Sequence, residues 1–143
     1  MLVIDASVVL EWLLSDRRGR EAEAILVRAA INEIWVPPLF WLEIGNVLRT
    51  RLRRGLIGDE FREASLGRVR ALQVRVDQLD DPSGSALDRT IALSDRFDLT
   101  IYDASYLELA LRIGADLGSF DAALCSAAPL AGVTVLGGPQ AER

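Results

Sequence analysis

The chain has 143 residues, of which 50% are hydrophobic and 26% are charged, and its net charge at neutral pH is -5. All 16 basic residues are arginine, and the chain contains neither histidine nor lysine. These absences exclude catalysis by an imidazole base, metal ligation by histidine and Schiff-base chemistry on lysine. Most of the remaining reactive groups are carboxylates, and clustered carboxylates need protons or a hard cation to offset their repulsion.

The length predicts one domain spanning 1–143, large enough to bury a hydrophobic core without disulfide bonds. Cys125 is the only cysteine, so no intramolecular disulfide can form and a reducing compartment is expected. The first 14 residues are apolar but include two acids and lack a basic leader, and no apolar run approaches the ~20 residues that cross a bilayer. We therefore expect a cytoplasmic protein with no membrane partner.

Short apolar segments alternate with helical segments along the chain. Strands are predicted at 2–4, 34–36, 74–79, 117–120 and 133–136, and helices at 8–14, 20–31, 39–54, 59–73, 85–96, 102–113 and 122–128. In the helix at 20–31, the apolar positions Ala24, Val27 and Ile31 are expected to face the core. A loop is predicted at 80–84. This alternation is typical of an α/β sandwich with a mainly parallel sheet.

Two aspartates follow predicted strands. Asp5 comes directly after the strand at 2–4, and Asp121 comes after the strand at 117–120 and begins the last helix. In an open parallel sheet, ligands bind beyond the carboxyl ends of the strands, which favours a role for both residues in a site. Aspartate at such a junction is also a common helix N-cap. Both interpretations stay open for each residue.

Glu43 and Asp103 are two further acids in apolar surroundings. Glu43 lies in the segment PPLFWLEIGNVL at 37–48, where Asn46 is the only other polar side chain, so its carboxylate is expected to be partly buried and to need a partner. Asp103 ends the segment TIYD, which fits a capping box that starts at Thr100. Asp103 is therefore a residue of the capped first turn, a ligand, or both. The joint occurrence of these acids favours one shared pocket over four separate caps.

The order and spacing of these acids resemble a known family. Four segments carry the resemblance, namely VIDASVVLEWLL at 3–14, WLEIGNVL at 41–48, TIYDASYLELA at 100–110 and SFDAAL at 119–124. They are similar to the four motifs of PIN-domain ribonucleases, and most of all to the VapC-like toxins of bacterial and archaeal toxin–antitoxin pairs. The fourth segment departs from the family pattern, in which a β-branched strand followed by threonine is common, because it is preceded by Asp116-Leu117-Gly118 and begins with Ser119.

The resemblance implies a PIN-like three-layer α/β/α sandwich with a short, mainly parallel central sheet, and an endoribonuclease that depends on Mg²⁺ or Mn²⁺. It also implies an RNA substrate, a homodimer and inhibition by a small antitoxin protein. Carried over residue by residue, the catalytic and metal-binding acids are Asp5, Glu43, Asp103 and Asp121. Ser7 matches the small hydroxyl residue after the first aspartate and is expected to line the site.

On this interpretation, Asp5 and Asp103 fix the cation, with Asp121 acting through water, and Glu43 binds a second cation or orients water. The cation lowers the pKa of a bound water and offsets the charge of the phosphodiester during hydrolysis. A cation also joins an acidic pocket to RNA phosphates, which reconciles RNA binding with a net charge of -5.

Other interpretations stay open at the sequence level. The densest basic group consists of Arg49, Arg51, Arg53 and Arg54, which form either a solvated helix face or an RNA contact. The tryptophans, Trp12, Trp35 and Trp41, are expected in the core or at a protein interface. The alternative function is a non-catalytic PIN-like interaction module, with the acids kept only as caps. A phosphotransfer domain is disfavoured, because a serine stands where it needs a second aspartate and lysine is missing.

Overall fold

A central parallel β-sheet with helices on both faces forms the framework of the protein. A computed structural model describes residues 1–15, 17–78 and 83–139. The strands are β1 (Leu2–Ile4), β2 (Ile34–Val36), β3 (Arg75–Val76), β4 (Asp116–Ser119) and β5 (Val135–Gly137). The helices are α1 (Ala6–Leu14), α2 (Gly19–Ala29), α3 (Leu39–Arg53), α4 (Asp59–Ala71), α5 (Ser85–Phe97), α6 (Ile101–Ile113) and α7 (Ala122–Leu130). Within the described ranges, no helix is both long and apolar enough to cross a membrane.

The strands lie in the order β3-β2-β1-β4-β5, and each neighbouring pair is parallel. The first half of the chain adds strands on one side of β1, and the second half adds them on the other side. Val3 is therefore paired both with Trp35 of β2 and with Leu117 of β4. The direction of strand addition reverses between β1 and β4, and in open α/β sheets ligands bind outside the carboxyl ends of the strands at such a point.

Alternation along β1 divides the core into two layers. Leu2 and Ile4 point to one face, where they pack with buried residues of α1, α2 and α3. Val3 points to the opposite face and packs with buried residues of α6 and α7. Because successive side chains of a strand face opposite sides of a sheet, three apolar residues serve two layers of helices. The predicted three-layer α/β/α sandwich is confirmed, and the sheet is parallel throughout.

The predicted elements are all present, with shifted ends. The first helix begins at Ala6 rather than at Val8, because Asp5 has the extended backbone of an N-cap residue. The strand predicted at 74–79 contains only Arg75 and Val76, which pair with β2 at the edge of the sheet. Positions 79–82, which include most of the predicted loop at 80–84, lie outside the described residues.

The buried face of α2 differs from the prediction. Val27 and Ile31, which were expected in the core, are 64% and 86% exposed, and Ala24 is exposed as well. The buried residues of this helix are Ala22, Ile25, Leu26 and Ala29. Apolar residues occur at helical spacing on both faces of this segment, so the periodicity alone selected the wrong one. Ile31 also lies beyond the end of the helix.

The close approach of α2 to the sheet explains why a glycine, Gly118, precedes the fourth motif. A Cβ atom at Gly118 would lie 3.2 Å from Cγ2 of Ile25, which is tighter than ordinary side-chain contact. Glycine at this position of β4 therefore lets α2 pack against the strand without displacement. The tryptophans are partly buried against the two core layers, as predicted.

Shortening a buried side chain of α3 should lower the stability of the protein, whereas shortening an exposed side chain on the opposite face of the same helix should not. Ile44 is 0% exposed and Leu42 is 76% exposed. Ile44→Ala removes buried methylene groups and leaves a cavity, so it should lower the free energy of unfolding by about 2–5 kcal/mol. Leu42→Ala should change it by less than ~0.5 kcal/mol. Urea denaturation measures both, and equal effects of the two substitutions would contradict this assignment of the buried face.

Candidate active site

The four predicted acids meet at the carboxyl edge of the sheet. Asp5 follows β1, Asp121 follows the end of β4, Glu43 lies in the second turn of α3, and Asp103 lies in the first turn of α6. Since α3 follows β2 directly, its first turns lie at the same edge. Asp5 and Asp121 flank the point where the direction of strand addition reverses. The topology thus brings together residues from four separate segments.

Asp5 is the most deeply buried of these acids, with an exposed fraction of 4%. It occupies the N-cap position of α1, yet its side chain makes no capping hydrogen bond. The hydroxyl groups of Ser7 and Ser119 each donate a hydrogen bond of 2.8 Å to its Oδ2 atom. Asp5 therefore occupies the cap position of α1 while two serine hydroxyls hold its carboxylate, and this position does not exclude a role in the site.

The two serines are themselves held by the backbone of the fourth motif. The N–H of Phe120 donates to Oγ of Ser7 at 3.0 Å, and the N–H of Asp121 donates to Oγ of Ser119 at 3.0 Å. The N–H of Asp5 donates to the carbonyl of Gly118 at 2.9 Å. The ends of β1 and β4 are thus joined by side-chain and backbone hydrogen bonds, which fix the position of the buried carboxylate.

Glu43 has the partner that its apolar surroundings require. The hydroxyl of Tyr106 donates a hydrogen bond of 2.8 Å to its Oε1 atom. Tyr106 is fully buried on α6, whereas Glu43 is partly buried on α3. The bond therefore joins the two helices that carry Glu43 and Asp103, across the carboxyl end of the sheet.

Asp103 and Asp121 both take part in helix starts. The hydroxyl of Thr100 accepts a hydrogen bond of 3.1 Å from the N–H of Asp103, which confirms the predicted cap of α6. Oδ1 of Asp121 accepts a hydrogen bond of 2.9 Å from the N–H of Leu124, so Asp121 is the N-cap of α7. A cap of this kind engages one carboxylate oxygen and leaves the second available. The capping role of Asp121 does not exclude a role in the site.

Burial and mutual repulsion both disfavour the charged state of this cluster. Burial is the main cause that raises the pKa of Asp5, and the neighbouring Asp121 raises it further. Burial raises the pKa of Glu43 in the same way, with contributions from Asp5 and Asp103. The pKa of Asp103 is raised to about 6, first by burial and then by Asp121 and Asp5. A carboxylate that raises the pKa of another lies close to it, and neighbouring carboxylates favour a proton or a cation between them.

The donor set suits a hard divalent cation. The four predicted acids offer only carboxylate oxygens, the ligand type that Mg²⁺ and Mn²⁺ prefer. Within the described residues, no group of three or more metal-ligating side chains is already drawn together around one point. Repulsion between the carboxylates opposes such closure, and a cation would remove that repulsion.

Two residues at this edge, Ser119 and Tyr106, contact the candidate site acids although the sequence motifs do not mark them as functional. Ser119 appeared only as a departure from the motif, although parallel pairing of β1 with β4 places it beside Asp5. Tyr106 lies three residues after Asp103, a spacing that puts two side chains on one helical face. The spacing was visible in the sequence, but the acceptor on α3 was not.

The arginine cluster lies at the other end of α3. Arg53 is ten residues beyond Glu43 in the same helix, which corresponds to about 15 Å along its axis. Arg49, Arg53 and the following Arg54 are exposed, and Arg51 is partly buried near Trp12 and Phe61. A direct role of this cluster beside the acids is not supported by the fold. Its role as an RNA contact or as a solvated face stays a prediction.

Comparison with known proteins gives a consistent result. The family described as PIN domain matches residues 2–129. The chain is 29% identical to ribonuclease VapC3 of Pyrobaculum aerophilum over 90% of this chain and 95% of that protein. It is 31% identical to ribonuclease VapC1 of Mycobacterium tuberculosis over 87% of this chain and 89% of that protein. The fold matches a solved toxin–antitoxin complex from Klebsiella pneumoniae with a TM-score of 0.59 and 19% identity, over 85% of this chain and 87% of that chain.

The raised pKa of Asp103 predicts a stabilising effect of its removal at alkaline pH. The pKa of Asp103 is about 6 in the folded protein, compared with an ordinary value of 3.8. The stability that the protonated group contributes is therefore fully present below pH 3.8 and is lost as the pH rises through 6. Without added metal, Asp103→Asn should raise the free energy of unfolding at pH 8 by roughly 1 kcal/mol, a value reduced for solvent screening of this half-buried group.

Urea denaturation at pH 8 and near pH 4 measures this effect, which should shrink at the lower pH. Asp95→Asn, on the exposed surface of α5, removes the same charge outside the cluster and serves as the control. A destabilising effect of Asp103→Asn at pH 8 would show that the Asp103 carboxylate is not under repulsion.

Proposed function

Because the chain belongs to the PIN domain family, we propose that it is a metal-dependent endoribonuclease that hydrolyses RNA phosphodiester bonds. One observation carries the proposal, namely that acids from four segments meet at the point where the direction of strand addition reverses, and that three of them have raised pKa values. Two relatives that align over most of the chain are named ribonucleases, which supports the same activity.

The proposed cofactor is Mg²⁺ or Mn²⁺, held by Asp5, Asp103, Glu43 and Asp121. When bound, such an ion would supply neutralising charge for the phosphodiester and make water a better nucleophile at neutral pH. The absence of histidine leaves no imidazole ligand in the chain, and the four proposed ligands are all carboxylates. This donor set favours Mg²⁺ or Mn²⁺ over Zn²⁺.

The acids have different tasks in the proposed site. Asp5 provides a negative charge at a fixed position, because two serine hydroxyls and the β1–β4 junction hold it. Asp103 and Asp121 contribute charge from the starts of two helices, where the positive end of the helix dipole partly offsets their repulsion. Glu43 would hold a second cation or orient water through the oxygen that Tyr106 does not engage.

We further propose that the protein is the toxin of a toxin–antitoxin pair, with a small antitoxin protein as its partner. The resemblance to VapC-like toxins and the shared fold with a toxin–antitoxin complex support this assignment. The proposed state is a homodimer in the cytoplasm, where cellular RNA is available, with each chain forming a single PIN domain over 1–143. A negatively charged chain gains little from general attraction to RNA, so local contacts and the cation would provide the affinity.

Loss of a single acid should strongly reduce the cleavage of RNA. Asp5→Asn and Asp103→Asn each remove a negative charge but keep the size of the side chain. Because a metal ion contributes several kcal/mol to the transition state, each variant should lower kcat/KM by about 100-fold or more. The assay is cleavage of total cellular RNA with mapped ends, in Mn²⁺ and after chelation.

Asp95→Asn is the matched control, since it makes the same change on an exposed surface. Wild-type protein that cuts RNA equally well after chelation would contradict metal dependence. Wild-type protein without any nuclease activity, but with a bound partner protein, would favour the interaction module instead.

A further inference from the structure

Tyr106 is the largest of the fully buried side chains, and its single polar atom lies at the candidate site. We propose that Tyr106 is a positioning residue that fixes the Glu43 carboxylate for cation or water binding. The inference rests on the proposed nuclease function and extends it to a residue that contacts neither RNA nor the cation.

The hydroxyl group of Tyr106 is buried and needs an acceptor within the protein. Tyr106 has an exposed fraction of 0%, so its O–H cannot donate to bulk water. A buried donor without an acceptor costs about 1–3 kcal/mol, and Glu43 provides the acceptor at 2.8 Å. The backbone N–H of Ala6 is a second polar group beside the same hydroxyl. The hydroxyl is therefore confined between the start of α1 and the carboxylate on α3.

The two carboxylate oxygens of Glu43 have different surroundings. Oε1 accepts the hydrogen bond from Tyr106, whereas Oε2 accepts none from the described residues. A glutamate side chain without a partner samples several rotamers, and holding one oxygen restricts the direction of the other. Tyr106 thus engages one Glu43 oxygen and leaves the other without a hydrogen bond from the described residues, while Asp5 and Asp103 lie close enough to raise the pKa of this carboxyl group.

Tyr106 lies on the same helix as one of the candidate site acids. This helix carries Asp103 in its first turn and Tyr106 one turn later, on the same face. The same rigid element therefore supplies one acid directly and orients another that belongs to α3. Hydrogen-bonding partners of metal ligands commonly affect metal affinity or activity by about 10–100-fold.

The test compares Tyr106→Phe, which deletes only the hydroxyl, with Tyr102→Phe, which deletes an exposed hydroxyl from the same helix. Calorimetric titration with Mn²⁺ and RNA cleavage are measured for both, alone and combined with Glu43→Gln. Tyr106→Phe should weaken Mn²⁺ binding or lower kcat/KM by about 10–100-fold, with kcat affected more than KM. Tyr102→Phe should match the wild type in both measurements.

The combination with Glu43→Gln separates positioning from general stability. If Tyr106 acts through Glu43, Tyr106→Phe should cost little further activity in the Glu43→Gln background. Equal losses in both backgrounds would overturn the proposal, because they would show that Tyr106 acts independently of Glu43. Wild-type behaviour of Tyr106→Phe in Mn²⁺ binding and cleavage would also overturn it.

Glu43→Asp tests the same inference if Tyr106→Phe does not fold. The shorter side chain keeps the charge but cannot reach both Tyr106 and the site, so its activity should fall to the level of Glu43→Gln. Near wild-type activity of Glu43→Asp would overturn the proposal. A wild-type protein that neither binds Mn²⁺ nor cuts RNA would refute the proposed function itself. If the wild type binds Mn²⁺ and cuts RNA, and Tyr106→Phe does so equally well, only the role of Tyr106 is refuted.

Discussion

A carboxylate buried at the end of the central strand is the constraint on which the site depends. Asp5 is almost inaccessible to solvent, and removing a charged group from water is costly unless other groups compensate. Hydroxyl donors from Ser7 and Ser119 compensate part of this cost, but both are neutral. The nearby Asp121 adds repulsion instead of relief. The arrangement is understandable if a cation completes it, because only positive charge or a proton can balance these acids.

The fold explains why acids so distant in sequence meet. The first half of the chain extends the sheet on one side of β1 and the second half extends it on the other, so the ends of β1 and β4 adjoin. Hydrogen bonds between Ser119 and Asp5 and between Phe120 and Ser7 join these ends. The glycine of β4 that lets α2 pack closely belongs to the same junction. Structural residues and candidate functional residues thus depend on one another at this point.

Patterns within single segments of the sequence were enough to predict the fold class and the elements on which the acids lie. Apolar runs that end at an aspartate marked the carboxyl ends of two strands, and Glu43 stood out as a carboxylate in an apolar helix. The partners of these acids depend on strand register and helix packing, so Ser119 and Tyr106 could not be assigned from spacing alone. The prediction of the buried face of α2 was wrong for a related reason. Val27 and Ile25 are both apolar, and only tertiary packing decides which of them is buried.

Anomalous scattering from crystals grown with Mn²⁺ would show whether these acids form one divalent-cation site. We expect a manganese peak at the carboxyl edge of the sheet, with oxygens of Asp5 and Asp103 within about 2.0–2.4 Å of the ion. A saturating concentration of Mn²⁺ that gives no peak beside Asp5, or only peaks on exposed surface acids, would contradict it.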